Sequence, residues 1–163
     1  MATTRYAAGT DVPADRSRGE IERTLKRYGA GAFMYGWDEN RALIGFVAHG
    51  RQVRLVLPMP DPDDTEFTRT DTGKTRAASA AADAYERAVR QKWRVFALVI
   101  KAKLEAVESG LVEFEAEFLS YLVLPNGQTV GDTVRGGVAE AYATGEVPAL
   151  LPNYRPAIEG GRR

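Results

Sequence analysis

The sequence predicts an α+β fold with an N-terminal helix, a three-stranded antiparallel meander, a long central helix and two shorter C-terminal helices. Alternating residues mark three short strands between residues 30 and 57. Apolar residues then recur every three or four positions from Thr75 onward, which is typical of one long helix. We expect a flexible arm over 1–15, a single domain over 16–146 and an extended or disordered tail over 147–163.

The first helix is predicted by its start and by its apolar face. Ser17 and Glu20 form a capping-box pattern, in which each side chain satisfies a free backbone N–H group at a helix start. Ile21, Leu25 and Tyr28 then fall on one face of the helix. Gly29 is a natural end, because glycine adopts the left-handed conformation that often terminates a helix.

Three strands are predicted over Ala30–Trp37, Ala42–His49 and Gln52–Leu57. A turn over 38–41 joins the first two, and Gly50-Arg51 is a plausible two-residue hairpin loop. Alternation predicts an inner face and an outer face. The inner face contains Phe33, Tyr35, Trp37, Ile44, Phe46, Val53, Leu55 and Leu57. The outer face is still rather apolar, so we expect the C-terminal segment, another subunit or a ligand to cover it.

Residues 58–74 lack periodicity and contain three prolines, which predicts a long mobile loop. The central helix is predicted over Thr75–Ser109, ending at Gly110. Its middle, Val95–Ile100, is apolar on every side, so we expect it to lie between the sheet and later helices, or in a subunit interface.

The segment Val112–Leu124 fits either a helix or a strand, and its three glutamates favour a helix. A turn follows over 125–128, and a last helix is predicted over Asp132–Ala143.

Composition restricts the classes of function. Lys plus Arg equals Asp plus Glu at 22 each, which argues against broad electrostatic adhesion to nucleic acid or membrane but permits a local basic face. No cysteine is present, so disulfides and thiolate metal sites are excluded. The polar start resembles no secretion signal, and no apolar run is long enough to span a bilayer. We therefore expect a cytoplasmic protein without membrane association.

The central helix carries the candidate binding site. Arg87, Arg90, Arg94 and Lys101 fall within about 60° of one another at 100° per residue, beside the apolar stripe. A row of positively charged side chains is typical of a surface that binds the phosphate groups of a nucleic acid. Arg51 and Arg54 add positive charge at the sheet. The alternative interpretation is an ordinary solvated helix face, in which Glu86 and Arg90 form an i,i+4 pair.

Other candidate motifs favour structural interpretations. Gly73-Lys74-Thr75 matches the end of a phosphate-binding loop, but Thr68 stands where that loop needs a glycine. The carboxylates between Asp61 and Glu66 lack the spacing of a calcium loop and are interpreted as a solvated acidic segment. The single histidine, His49, lies near a hairpin end. The sequence thus predicts no catalytic residue, no metal site and no cofactor.

Three segments carry a resemblance to a known family: RSRGEIERTLKRYGA (16–30), GRQVRLVLPMP (50–60) and VIKAKLEAVESGLVEFEAEFLSYLVLPNGQTVGD (99–132). They resemble a family of small uncharacterised proteins encoded by bacteriophages and prophages. The resemblance implies a phage protein in the cytoplasm of a bacterial host. In architecture alone, three antiparallel strands followed by a long helix are similar to phage single-strand annealing proteins. With the preceding helix, they are similar to double-stranded RNA-binding domains, whose second helix starts much like 74–81.

Three functional hypotheses follow. The first is a non-enzymatic accessory protein that binds nucleic acid in phage recombination or replication. The second is a protein–protein interaction module that binds or inhibits a host or anti-phage defence protein, a role that zero net charge favours. The third is an enzyme that uses the carboxylates of 61–66 with Mg²⁺. We also expect a homo-oligomer, because both the outer sheet face and the 95–100 segment need cover.

Overall fold

A computed structural model describes residues 14–38 and 40–151 and confirms the α+β class. The elements in chain order are α1 (Ala14–Arg27), β1 (Ala32–Trp37), β2 (Arg41–Ala48), β3 (Arg51–Pro58), α2 (Thr65–Thr68), α3 (Ala78–Glu108), α4 (Phe114–Phe118) and α5 (Val130–Thr144). Most of the predicted arm, 1–13, and most of the predicted tail, 152–163, lie outside the described residues.

Helix α1 is longer at its N-terminal end than the sequence indicates. The helix already includes Ala14 and Asp15, so the capping box predicted at Ser17 is wrong. Ser17 is instead fully buried, and its hydroxyl has no hydrogen-bond partner. Ile21 and Leu25 are buried as predicted, because they share the face that packs onto the core.

The three strands form one antiparallel sheet in the order β1-β2-β3. Phe33 lies opposite Phe46, and Ile44 lies opposite Leu55, so the predicted inner residues share one face. The β2–β3 hairpin turns through His49 and Gly50, not Gly50-Arg51. Their φ angles are 51° and 70°, as a two-residue turn that matches strand twist requires.

The core lies between the inner face of the sheet and helices α1 and α3. Ile44, Phe46, Val53 and Leu55 are buried on the sheet side. Helix α3 contributes Trp93, Phe96, Ala97, Ile100 and Leu104, which recur at helical spacing. The largest departure is at the end of β1, where Trp37, predicted to face inward, is 74% exposed.

The segment 58–74 is more structured than predicted. It contains α2, and Arg69 pairs with Thr75 in an isolated antiparallel bridge. Phe67 of α2 is buried and meets Tyr85 of α3 edge-to-face, with ring centroids 5.7 Å apart. The prediction of a long loop without structure is therefore wrong, because one aromatic side chain anchors the segment to α3.

Helix α3 confirms the long central helix to within three residues at its start and one at its end. Gly110 follows with a φ of 73°, the left-handed conformation expected after a helix end. Leu98 and Val99 remain exposed, so the prediction that later helices enclose 95–100 is wrong for the part of the chain that the structure describes. A subunit interface at this segment stays a prediction.

The C-terminal region combines both interpretations of Val112–Leu124. Helix α4 occupies 114–118, a single 3-10 turn covers 119–121, and Leu122 then forms a bridge to Val53 of β3. Helix α5 confirms the last predicted helix. Its N-cap is Thr129, whose hydroxyl accepts a hydrogen bond from the Asp132 N–H at 3.1 Å.

The described residues leave part of the outer sheet face exposed. Met34, Val47 and Val56 are exposed there on three adjacent strands. Among the described residues, no helix is both long and apolar enough to traverse a lipid bilayer.

Candidate nucleic-acid interface

The candidate interface is built by α1 and α3, which lie side by side on the inner face of the sheet. Glu20 of α1 accepts a hydrogen bond from Arg94 of α3 at 2.5 Å. The hydroxyl of Tyr28, two turns further along α1, donates to Glu105, three turns further along α3. Residue numbers rise together on both helices, so the two helices run in the same direction. Their outer surfaces therefore meet along a shallow groove.

The four predicted residues of α3 differ in their surroundings. Arg87 and Lys101 are exposed, and within the described chain neither forms an ion pair. Arg90 lies 3.6 Å from the carboxylate of Glu86, its predicted helical partner. Arg94 is held by Glu20 of α1. The predicted ridge is thus a set of four cations on one side of α3, of which two already meet carboxylates.

Helix α1 extends this row with three arginines that the sequence-based prediction missed. Arg16, Arg23 and Arg27 fall within about 40° of one another at 100° per residue, on the side of α1 that carries Glu20. All three are exposed. The Arg27 guanidinium lies 5.5 Å from the centroid of the Tyr28 ring, and Tyr28 itself reaches α3. Their spacing of seven and four residues was the available signal.

We call this surface the α1–α3 groove. It comprises seven basic side chains: Arg16, Arg23, Arg27, Arg87, Arg90, Arg94 and Lys101. Glu20 and Glu86 lie within it, and Glu105 and Glu108 follow toward the C-terminal end of α3. From Arg87 to Lys101 the groove is about 21 Å long at 1.5 Å per residue, close to the rise of six base pairs.

The two predicted residues of β3 belong to another part of the molecule. Arg51 lies 3.7 Å from the carboxylate of Glu115, on α4. Arg54 alternates with buried Val53 and Leu55, so it projects from the outer sheet face, and it donates to the carbonyl oxygen of Gly127 at 2.9 Å. Helices α1 and α3 cover the opposite face. Arg54 therefore lies on the side of the sheet away from the α3 row, and Arg51 pairs with α4 and not with that row.

The remaining candidates have structural surroundings. The carboxylate of Asp61 accepts a hydrogen bond from the Asp63 N–H at 2.9 Å within an exposed turn. No group of three or more His, Asp or Glu side chains in 14–38 and 40–151 is arranged to hold a metal ion. The His49 ring stacks on Phe114 with centroids 4.5 Å apart. Lys74 and Thr75 complete the turn that the Arg69 bridge closes.

Comparison with known proteins adds no relative: no protein-family model, no curated protein and no solved structure matches this chain. The resemblance to phage-encoded proteins stays a prediction.

Proposed function

We propose that this chain is a non-enzymatic nucleic-acid-binding accessory protein of phage DNA metabolism, and that the α1–α3 groove holds the phosphate backbone. The observation that carries the proposal is the alignment of arginines from two parallel helices on one exposed surface. Because phosphate contacts release counterions, a row of such cations binds nucleic acid of any sequence. Zero net charge does not oppose this, since binding depends on local positive charge.

The architecture supports the same proposal by analogy. A helix, three antiparallel strands and a second helix, with both helices on one sheet face, follow the order of a double-stranded RNA-binding domain. Such domains recognise nucleic acid chiefly through shape and backbone contacts. Fold analogy alone does not establish a function, so the proposal depends on the groove. The phage family resemblance suggests the bacterial cytoplasm as the setting.

The proposal is tested by measuring binding of a labelled oligonucleotide over a series of salt concentrations. The slope of log K against log salt is negative, and on a DNA duplex its magnitude falls by about 0.9 for each phosphate contact removed. We expect the double variant Arg87→Ala/Lys101→Ala to reduce the magnitude of the slope by about two and to weaken binding more than tenfold at 0.1 M salt. Both side chains are exposed, so the fold is retained.

The matched control is Arg51→Ala/Arg54→Ala, which removes the same charge from a different part of the molecule. We expect this control to bind like the unmodified protein. Equal losses in both double variants would show that net charge, not the groove, governs binding. Absence of any binding by the unmodified protein at low salt would remove the proposal altogether.

A second candidate function, protein docking, is favoured by the exposed outer sheet face. Met34 is 54% exposed, Val47 39% and Val56 45%, and these residues lie on three adjacent strands. Gly45 leaves the middle of this face shallow, and only the Met34 side chain approaches it closely. Gln52 and Arg54 share this face with the three apolar side chains, and an exposed face of mixed character suits a flat protein partner. We propose a second copy of this chain as that partner, because two neutral copies do not repel each other.

This second candidate is tested by light scattering during size-exclusion chromatography. A dimer in the unmodified protein and a monomer in Val56→Glu would support it, because a buried unpaired charge opposes association. The control Val138→Glu places the same charge on the exposed side of α5. A monomer at all concentrations would exclude self-association through this face.

A further inference from the structure

A cleft lined by aromatic rings lies where the start of α1, the end of β1 and the N-terminal half of α3 meet. Its volume is about 360 Å³, and its walls include Arg18, Tyr35, Trp37, Asp38, Tyr85 and Trp93. Four rings from two distant parts of the chain therefore converge on one opening. A volume of this size is at the lower end of the range for small-molecule sites.

Trp37 gives the cleft an exposed flat surface. Its ring stacks on Tyr35 with centroids 5.4 Å apart and an interplanar angle of 22°. Tyr35 in turn contacts the buried Trp93 ring, with centroids 5.7 Å apart. Tyr35 covers one face of the Trp37 indole, yet the residue remains 74% exposed. An indole held flat against a neighbour with so much exposed surface is suited to stack another planar ring.

Arg18 determines the charge that the cleft accepts. Its guanidinium lies 5.0 Å from the Tyr35 centroid and 5.7 Å from the Trp93 centroid, and it donates to the Tyr35 hydroxyl at 2.8 Å. It also forms an ion pair with Asp15. A cation already occupies these ring faces, so they are not open to a second cation. A ring that carries carbonyl oxygens, or an attached phosphate, matches the guanidinium.

Asp38 does not reverse this preference. Its carboxylate accepts hydrogen bonds from the backbone N–H groups of Asn40 and Arg41, each at 3.0 Å, and from the Arg41 guanidinium at 2.8 Å. Those three donors neutralise most of its attraction for a cationic ligand.

We infer that this cleft takes one nucleobase of a single strand, stacked on the open side of Trp37. The inference rests on the proposed function, since it names the form of nucleic acid that the α1–α3 groove would hold. Arg18 in the cleft and Arg16 in the groove are two residues apart, on opposite sides of the first turns of α1, so a strand that reaches both sites passes over the start of that helix. Bases in a duplex are paired and stacked on each other, so only a single strand can present one.

The inference is tested by comparing a 12-nucleotide single strand with a duplex of the same length, using fluorescence anisotropy. Trp37→Ala is expected to weaken single-strand binding by about tenfold, within the range for loss of one stacked base, and to leave duplex binding unchanged. Trp37→Phe keeps a planar ring and is expected to retain most of the affinity. Tyr142→Ala, which removes an exposed aromatic ring on α5, is the control and is expected to change nothing.

The outcomes separate this inference from the proposed function. Binding that needs Arg87 and Lys101 but is indifferent to Trp37→Ala would overturn the stacking inference alone. An equal loss of affinity for the single strand and the duplex would also overturn it, because the indole would then contribute without stacking on an unpaired base. If the unmodified protein binds neither form at low salt, both the stacking inference and the proposed function are refuted. A selective loss in Trp37→Ala, with partial recovery in Trp37→Phe, supports both.

Discussion

The ion pair between Glu20 and Arg94 offers a prediction in which a substitution improves binding. Glu20→Gln removes a carboxylate from the α1–α3 groove and releases Arg94, which lies 2.5 Å away. The two side chains are 35% and 33% exposed, so the pair contributes only about 0.2–1 kcal/mol to folding. The variant should therefore fold normally, with its free energy of unfolding lowered by less than about 1 kcal/mol.

The gain in binding follows from one additional phosphate contact. If the released Arg94 neutralises one phosphate of a DNA duplex, the salt slope becomes steeper by about 0.9, which corresponds to about eightfold tighter binding at 0.1 M salt. The gain should shrink as salt rises and vanish near 1 M, because the counterion contribution then disappears. Anisotropy titrations of one labelled oligonucleotide at four or more salt concentrations measure both quantities.

Glu115→Gln is the matched control for this prediction. It makes the same change in net charge and also releases an arginine, Arg51, but from the β3 and α4 region. We expect its slope and affinity to equal those of the unmodified protein. If Glu115→Gln improved binding as much as Glu20→Gln, or if Glu20→Gln left the slope unchanged, the assignment of phosphate contacts to the groove would be wrong.

Four further predictions concern stability and titration. Ser17→Ala should raise the free energy of unfolding by about 1 kcal/mol in a urea titration, because it removes a buried hydroxyl that has no hydrogen-bond partner. A lower free energy of unfolding would mean that the hydroxyl is hydrogen-bonded. Phe118→Ala should lower that free energy by about 3–5 kcal/mol, since the ring is fully buried, and a loss below 1 kcal/mol would contradict its place in the core. Thr129→Ala should lower the unfolding free energy by about 1 kcal/mol through loss of the α5 cap, while Thr129→Ser should retain most of it. The hydrogen bond from the Arg41 guanidinium lowers the pKa of Asp38 below its ordinary 3.8. The Asp38 carboxylate therefore stabilises the fold above pH 3.8, and this stabilisation is lost as the pH falls through the lowered pKa. An NMR titration that gives an ordinary midpoint for Asp38 would refute this prediction.

The fold was predictable to the extent that periodicity determines it. Helix α3 and the inner sheet face follow directly from apolar spacing, which is a local property of the sequence. Details that depend on distant residues were not predictable in the same way. Phe67 orders the segment before α3 only because Tyr85 lies beside it in the fold. Burial of Ser17 likewise depends on how α1 packs against the rest of the core.

The candidate site was predictable on one helix but not between helices. Spacing placed Arg87, Arg90, Arg94 and Lys101 in one row, and the structure keeps that row on one side of α3. Nothing local indicated that α1 would lie alongside and contribute both cations and Glu20. The aromatic cleft is not predictable for the same reason, because two of its four rings, Tyr85 and Trp93, lie on α3 and not on β1. Arg51 and Arg54 were grouped with the row through charge alone, without knowledge of their position.

The parallel arrangement of α1 and α3 also affects how the chain must fold as it is synthesised. The contact between Tyr28 and Glu105 joins residues that are 77 positions apart. At about 5–20 residues per second, a ribosome needs about 4–15 s to make the intervening chain. During that interval Ile21 and Leu25 have no α3 to pack against. The apolar face of the nascent α1 therefore remains exposed until α3 has been synthesised. A truncated product that ends before α3 would keep this face exposed and would be a target for chaperones and proteases.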